Sequence, residues 1–85
     1  MKFRLYTTKN CPYCVAAMQF LTEQQKEFEC YSLDRQPELL SEIKKTYNWQ
    51  TVPLVVEITE GKEKFIGGFT DLKEYLLKGK QLLKG

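Results

Sequence analysis

The chain has 85 residues, 42% hydrophobic and 28% charged, a balance that suits one ordinary domain and is too short for two cores. A domain of this size buries a little over ~60% of its unfolded surface, so it needs no disulfide staple, metal or obligatory partner to fold. Thirteen basic and 11 acidic residues are interspersed to a net charge of +2, which disfavours nucleic acid as a partner, and the absence of histidine removes Cys-His and Ser-His-Asp catalysis, histidine metal sites and an imidazole switch together.

Lys2 to Thr7 alternates charged and apolar residues with Phe3 and Leu5 on one face, the period of a half-buried strand. It holds no apolar core of a signal peptide, and nothing approaches a membrane span, so a reducing, cytoplasmic location without membrane contact is expected. The stretch "TTKNCPYCVAAM", Thr7 to Met18, follows. Val15, Ala17, Met18 and Leu21 recur at helical spacing, and "TEQQKE" marks the helix's polar end.

Phe28 to Leu33 returns to period two and reads as a second strand, bounded by Asp34, Arg35 and Gln36. Pro37 suits the first turn of a helix whose Leu39, Leu40, Ile43 and Tyr47 share a face, and Asn48 can stop it in the left-handed conformation. Pro53 to Thr59 is rich in β-branched residues, and "EGKE" separates it from Lys64 to Gly67 as a hairpin. "GGFTD" then opens a last helix, with Thr70 as its N-cap, Leu72, Tyr75 and Leu76 at helical spacing, and Gly79 as its end.

The order β-α-β-α-β-β-α over residues 1–85 predicts one α/β domain of thioredoxin-like fold, a four-stranded mixed sheet flanked by three helices. Ligands of open α/β sheets gather beyond the carboxyl ends of the parallel strands, where the loop holding Cys11 lies. Cys11 and Cys14 admit three readings: a structural disulfide, half of a metal site, or a redox pair. Zinc wants four ligands, and only Cys30 is left to join the two. A bridge over two residues constrains little of the unfolded chain. Redox exchange fits a CxxC before a helix in a βαβ setting.

Cys11 falls at or just before the helix start, with Pro12 at the first helical position. The free N–H groups and positive dipole end of that turn favour its thiolate, which makes Cys11 the nucleophile. Cys14, one turn on and partly covered by the helix, becomes the resolving thiol. Lys9 adds a neighbouring charge, and Cys30 is expected to be a buried, structural strand residue.

"CPYC" at Cys11 to Cys14, "TVP" at Thr51 to Pro53 and "GGFTD" at Gly67 to Asp71, in this order across essentially the whole chain, resemble a dithiol glutaredoxin of the CPYC type. The resemblance implies a monomeric glutathione-disulfide oxidoreductase with no bound cofactor or metal. Glutathione would be co-substrate, and protein disulfides and glutathionylated proteins, ribonucleotide reductase among them, would be the partners. It implies a glutathione site of Lys9, Tyr13, Thr51, Val52, Pro53, Gly68, Phe69, Thr70 and Asp71. There Pro53 is cis, the Val52 backbone pairs with the peptide, the last helix's N–H groups hold the γ-glutamyl carboxylate, and Asp71 meets the ammonium. The chain departs from the family's pattern at Thr8, where a lysine or arginine is usual, and at Trp49, bulky beside the expected cleft. Two rival functions stand beside this one: a thioredoxin-like donor served by a flavoprotein reductase, and an iron–sulfur carrier in which Cys11 of two protomers and glutathiones complete the ligation.

Overall fold

The computed structural model describes residues 2–9 and 11–84, with side chains through residue 77. The elements are β1 (Lys2–Thr7), α1 (Pro12–Glu23), β2 (Glu27–Ser32), α2 (Pro37–Tyr47), β3 (Leu54–Thr59), β4 (Lys62–Gly67) and α3 (Phe69–Lys84). The sheet runs β2-β1-β3-β4, with β1 parallel to β2 and antiparallel to β3, and β4 antiparallel to β3. This is the thioredoxin-like arrangement expected from the element order.

The period-two pattern of β1 sends Phe3 and Leu5 to one face, where they are fully buried with Ala17 and Leu21 of α1, Val55 of β3 and Leu72 of α3. Met18, Phe20, Phe28, Ile66, Phe69 and Leu76 pack around that cluster, Phe20 meeting Phe69 edge-on at 6.3 Å. Six side chains of this size removed from water, at roughly 1.5–3 kcal/mol for each of the larger ones, make this layer the main source of stability. The opposite face carries Arg4, Val56 and Phe65 in register, and α2 covers it through Tyr47, stacked on Phe65 at 4.6 Å. Central strand β3 is buried on both faces at Leu54, Val55 and Val56. It also buries the Glu57 carboxylate, whose two oxygens lie 3.1 and 3.0 Å from the Tyr75 hydroxyl that donates to them. That bond bolts α3 to the sheet.

Three local expectations change. Glu60 and Gly61 both have positive φ (51° and 78°), so the hairpin closes on two residues and β4 begins at Lys62 rather than Lys64. α3 starts at Phe69, and the Gly68 carbonyl accepts the Leu72 N–H at 3.0 Å, so Gly68 is the N-cap and Thr70 the second helical residue. Nor does Gly79 end the helix, which runs on to Lys84. A single interior glycine costs ~1 kcal/mol and does not outweigh the good helix formers Lys80, Gln81 and Leu82 beyond it.

Two chain devices aim segments at one end of the sheet. Val55 pairs with Gly67 and Val56 with Phe65, leaving Ile66 as a bulge that redirects the chain just before Gly67 and Gly68. Asn48, at φ 53° and ψ 49°, ends α2 in a Schellman motif: the Asn48 N–H donates to Lys45 O at 3.2 Å and the Trp49 N–H to Lys44 O at 2.8 Å. Trp49 is thereby fixed at the entry to the loop that leads into β3.

Candidate active site

Cys11 is the residue before α1, with extended backbone (φ −109°, ψ 102°), and Pro12 is the first helical residue. The Cys11 carbonyl accepts the N–H groups of Cys14 at 3.1 Å and Val15 at 3.3 Å, but its side chain makes no capping bond. The sulfur is therefore not tied to its own helix. Half-buried, the thiol donates instead to the Val52 carbonyl oxygen, 3.7 Å away.

Cys14 is a different kind of thiol. Only 2% of it is exposed, and burial pushes it from the ordinary 9.0 up to about 12, reinforced by a hydrogen bond with Cys11 and opposed by one from the Thr8 backbone. An accessible sulfur and a covered one thus sit one turn apart, both as free thiols.

Along one side of Cys11 lies an open groove lined by Tyr13, Trp49, Thr51, Val52, Pro53, Gly68, Phe69, Thr70 and Asp71. The Val52–Pro53 bond is cis. At the far end, Asp71 Oδ2 accepts the Gly68 N–H at 3.0 Å, clamping the turn before α3. Gly67 has φ 129°, and a Cβ there would lie 2.7 Å from Asp71 Cγ. The groove ends on the first turn of α3, whose free N–H groups and dipole suit an anionic group, next to the carboxylate of Asp71.

Eight of the nine residues expected at a peptide site therefore come together, and Lys9 does not join them. It lines a second opening on the other side of Cys11, with Thr7, Thr8, Pro12, Cys14, Val15 and Met18. Its backbone N–H donates to Asp34 Oδ1 at 2.7 Å, which holds the β1–α1 loop against the segment after β2. Asp34 sits below the usual carboxylate range through the Ser32 hydroxyl and that N–H. Arg35 and Gln36 line a separate hollow with Pro37, Glu38 and Leu39.

Two aromatic positions and one cysteine need placing. Tyr6 stacks on Tyr31 at 6.0 Å and is not among the groove residues, whereas Trp49 forms a wall of the groove. Motif position located Tyr13 in advance. Trp49, expected beside the cleft as a bulky departure from the family's pattern, does line the groove. Cys30, expected buried, is exposed: β2 is the edge strand and most of its residues face solvent. Its sulfur lies 3.3 Å from the Thr7 hydroxyl.

The family model for glutaredoxin matches residues 4–61. A curated glutaredoxin of Pseudomonas aeruginosa is 38% identical over 68 residues, spanning 80% of this chain and 76% of that protein. Among solved structures, wheat glutaredoxin superposes with a TM-score of 0.76 at 28% identity, covering 96% of this chain and 76% of that one. The dithiolic glutaredoxin of Trypanosoma brucei brucei gives 0.73 at 31% identity, covering 92% and 79%. With two unequal thiols at the start of α1 and matches that run across most of its length, the chain belongs to the glutaredoxin family, the thiol-disulfide oxidoreductases.

Proposed function

We propose that the protein reduces glutathionylated proteins and protein disulfides with glutathione as electron donor, Cys11 being the nucleophile and Cys14 the resolving thiol. The observation that carries this is the groove leading from Val52, whose carbonyl touches the Cys11 sulfur, to the first turn of α3 at Thr70 and Asp71. An extended peptide with a thiol in its middle and an α-amino acid head at one end fits that path. The Val52 backbone would pair with the cysteinyl residue like an added strand, the α3 N–H groups would take the head's carboxylate, and Asp71 its ammonium. Tyr13, Thr51, Pro53, Gly68 and Phe69 line the same path.

On this reading the Cys11 thiolate attacks the glutathionyl sulfur of a mixed disulfide. The new bond joins Cys11 to glutathione, and the protein leaves as a thiolate that takes up a proton. A second glutathione thiolate then attacks the glutathionyl sulfur, giving glutathione disulfide and restoring Cys11. With a protein disulfide, Cys11 forms a mixed disulfide to the substrate. Cys14 gives up its proton, attacks the Cys11 sulfur and closes the ring, so two electrons pass to the substrate. Ribonucleotide reductase belongs to the substrates this route would serve, and a reducing, cytoplasmic compartment would supply the glutathione.

Asp71→Asn tests the reading. The amide oxygen keeps an acceptor for the Gly68 N–H, so the fold role survives and only the charge is lost. Losing one charge-assisted contact costs about 1.5–3 kcal/mol, so KM for glutathione should rise roughly ten- to hundredfold with the melting temperature nearly unchanged. An unchanged KM, together with efficient reduction by a flavoprotein reductase without glutathione, would put the protein with the thioredoxin-like donors.

A further inference from the structure

As the resolving thiol, Cys14 has to give up a proton, yet burial pushes it up to about 12. The Thr8 backbone N–H acts the other way, because it donates to the Cys14 sulfur and favours the thiolate. Cys11 and Cys30, the thiols that face Cys14, both raise it, and Lys9 lines the same opening. Where the Thr8 N–H points therefore matters to the dithiol reaction.

Two bonds from the end of β2 set that direction. The Thr7 carbonyl and the Thr8 N–H are opposite ends of one planar trans peptide unit. The Leu33 N–H donates to the Thr7 carbonyl at 2.9 Å, so the other end of the unit is turned away from β2, toward α1 and Cys14. The next peptide unit is held by Asp34, whose Oδ1 accepts the Lys9 N–H at 2.7 Å. The other carboxylate oxygen, Oδ2, accepts the Ser32 hydroxyl. That hydroxyl and the Lys9 N–H hold Asp34 below the usual carboxylate range, so it is ionised at neutral pH and its bond to the loop is charge-assisted.

We propose that Asp34 is a positioning residue for the dithiol reaction: by fixing the Lys9 N–H it keeps the Thr8 N–H on the Cys14 sulfur. Asp34 acts through the loop. Its side chain is exposed, where a charge is screened, so the loop needs its acceptor oxygen and not its charge. The step served is ring closure. Cys14 releases its proton to water, its sulfur bonds to the Cys11 sulfur, and the bond from Cys11 to the substrate breaks, the substrate leaving as a thiolate. The inference rests on Cys14 being the resolving thiol and adds what helps it to ionise.

The test mixes reduced protein in a Cys30→Ser background with excess dithiobis(nitrobenzoate). Attack by Cys11 releases a first nitrothiobenzoate, and closure by Cys14 releases a second. Asp34→Ala should leave the first release unchanged and slow the second about three- to tenfold at neutral pH, the loss of one hydrogen bond to a charged sulfur being partly offset by the greater nucleophilicity of a more basic thiol. Asp34→Asn, which keeps an acceptor and loses the charge, should stay within about twofold of the parent. Alkylation of Cys14 by iodoacetamide, followed by mass spectrometry in a Cys11→Ser, Cys30→Ser background, should slow in Asp34→Ala. A clamp that only held the loop in shape would, when lost, uncover the thiol and speed that alkylation. A parent that releases one equivalent alone refutes the resolving role of Cys14, and the inference falls with it. A parent that releases two, with Asp34→Ala closing at the parent's rate, Asp34→Asn as slow as Asp34→Ala, or faster alkylation of Cys14, refutes the positioning role alone.

Discussion

Gly67 and Asp71 interlock: a Cβ on residue 67 would lie 2.7 Å from both Cγ and Oδ2 of Asp71, while that same Oδ2 holds the Gly68 N–H at 3.0 Å. The turn into α3 is built around a carboxylate that needs a bare backbone in front of it. Gly67→Ala forces a side chain into left-handed geometry and displaces Asp71. It should cost about 1–3 kcal/mol, lowering the melting temperature by roughly 4–8 °C per kcal/mol. Gly61→Ala is the control. It also has positive φ but nothing within 4 Å, so only the backbone term should appear in its melt.

Cys11→Ser should abolish all thiol transfer, whereas Cys14→Ser should keep deglutathionylation and lose the reduction of protein disulfides. The difference follows from one half-buried and one buried sulfur. Assays on a glutathionylated peptide and on a protein disulfide check it, and two variants equally inactive on the peptide would contradict it.

Because burial raises the Cys14 thiol to about 12, at mildly acidic and neutral pH it stays protonated and covered. Iodoacetamide should therefore label Cys11 and the exposed Cys30 well before Cys14, as mass spectrometry of the reduced protein would read out. The same shift affects stability. A group whose folded value is raised contributes stability that is complete below its unfolded value of 9.0 and is lost as pH climbs toward about 12. Reduced parent protein should thus lose stability faster than Cys14→Ser between pH 9 and 11 in denaturant titrations.

Tyr75→Phe removes the only hydroxyl seen on the buried Glu57 carboxylate among the described contacts. Leaving that group unsatisfied should cost about 1–3 kcal/mol, and burial of Tyr75 together with Glu57 already holds the phenol above its ordinary range. Thermal melts at neutral pH would show the loss, with thiol-transfer kinetics near those of the parent.

Local chemistry made much of this legible. Alternation around Phe3 and Leu5 wrote β1, Pro37 and Asn48 bracketed α2 to the residue, and CPYC placed the two thiols at the start of α1. Where the sequence reading slipped, the cause lay in tertiary geometry. Thr70 looks like a cap, yet the bulge at Ile66 brings Gly68 to that position, and no local pattern announces a bulge. Cys30 alternates like a core residue, yet β2 ends up at the sheet's edge, a fact of strand order that the strand's own residues do not encode. Lys9 is adjacent to the motif in sequence, but its backbone N–H is tied to Asp34 and it lines the second opening beside Cys11, not the groove with Tyr13 and Asp71.

Helix α2 buries none of its residues, so the hydrophobic core gains little from it directly. Its length nevertheless determines where Trp49 stands, because the Trp49 backbone N–H is tied to the Lys44 carbonyl in the helix's last turn. Each residue added to or removed from an α-helix turns its end by about 100° and moves it ~1.5 Å along the axis. A one-residue change in α2 would therefore swing the groove wall out of place while sparing the packed layer beneath the sheet. The helix works as a ruler whose zero mark is Pro37 and whose reading is the width of the cleft.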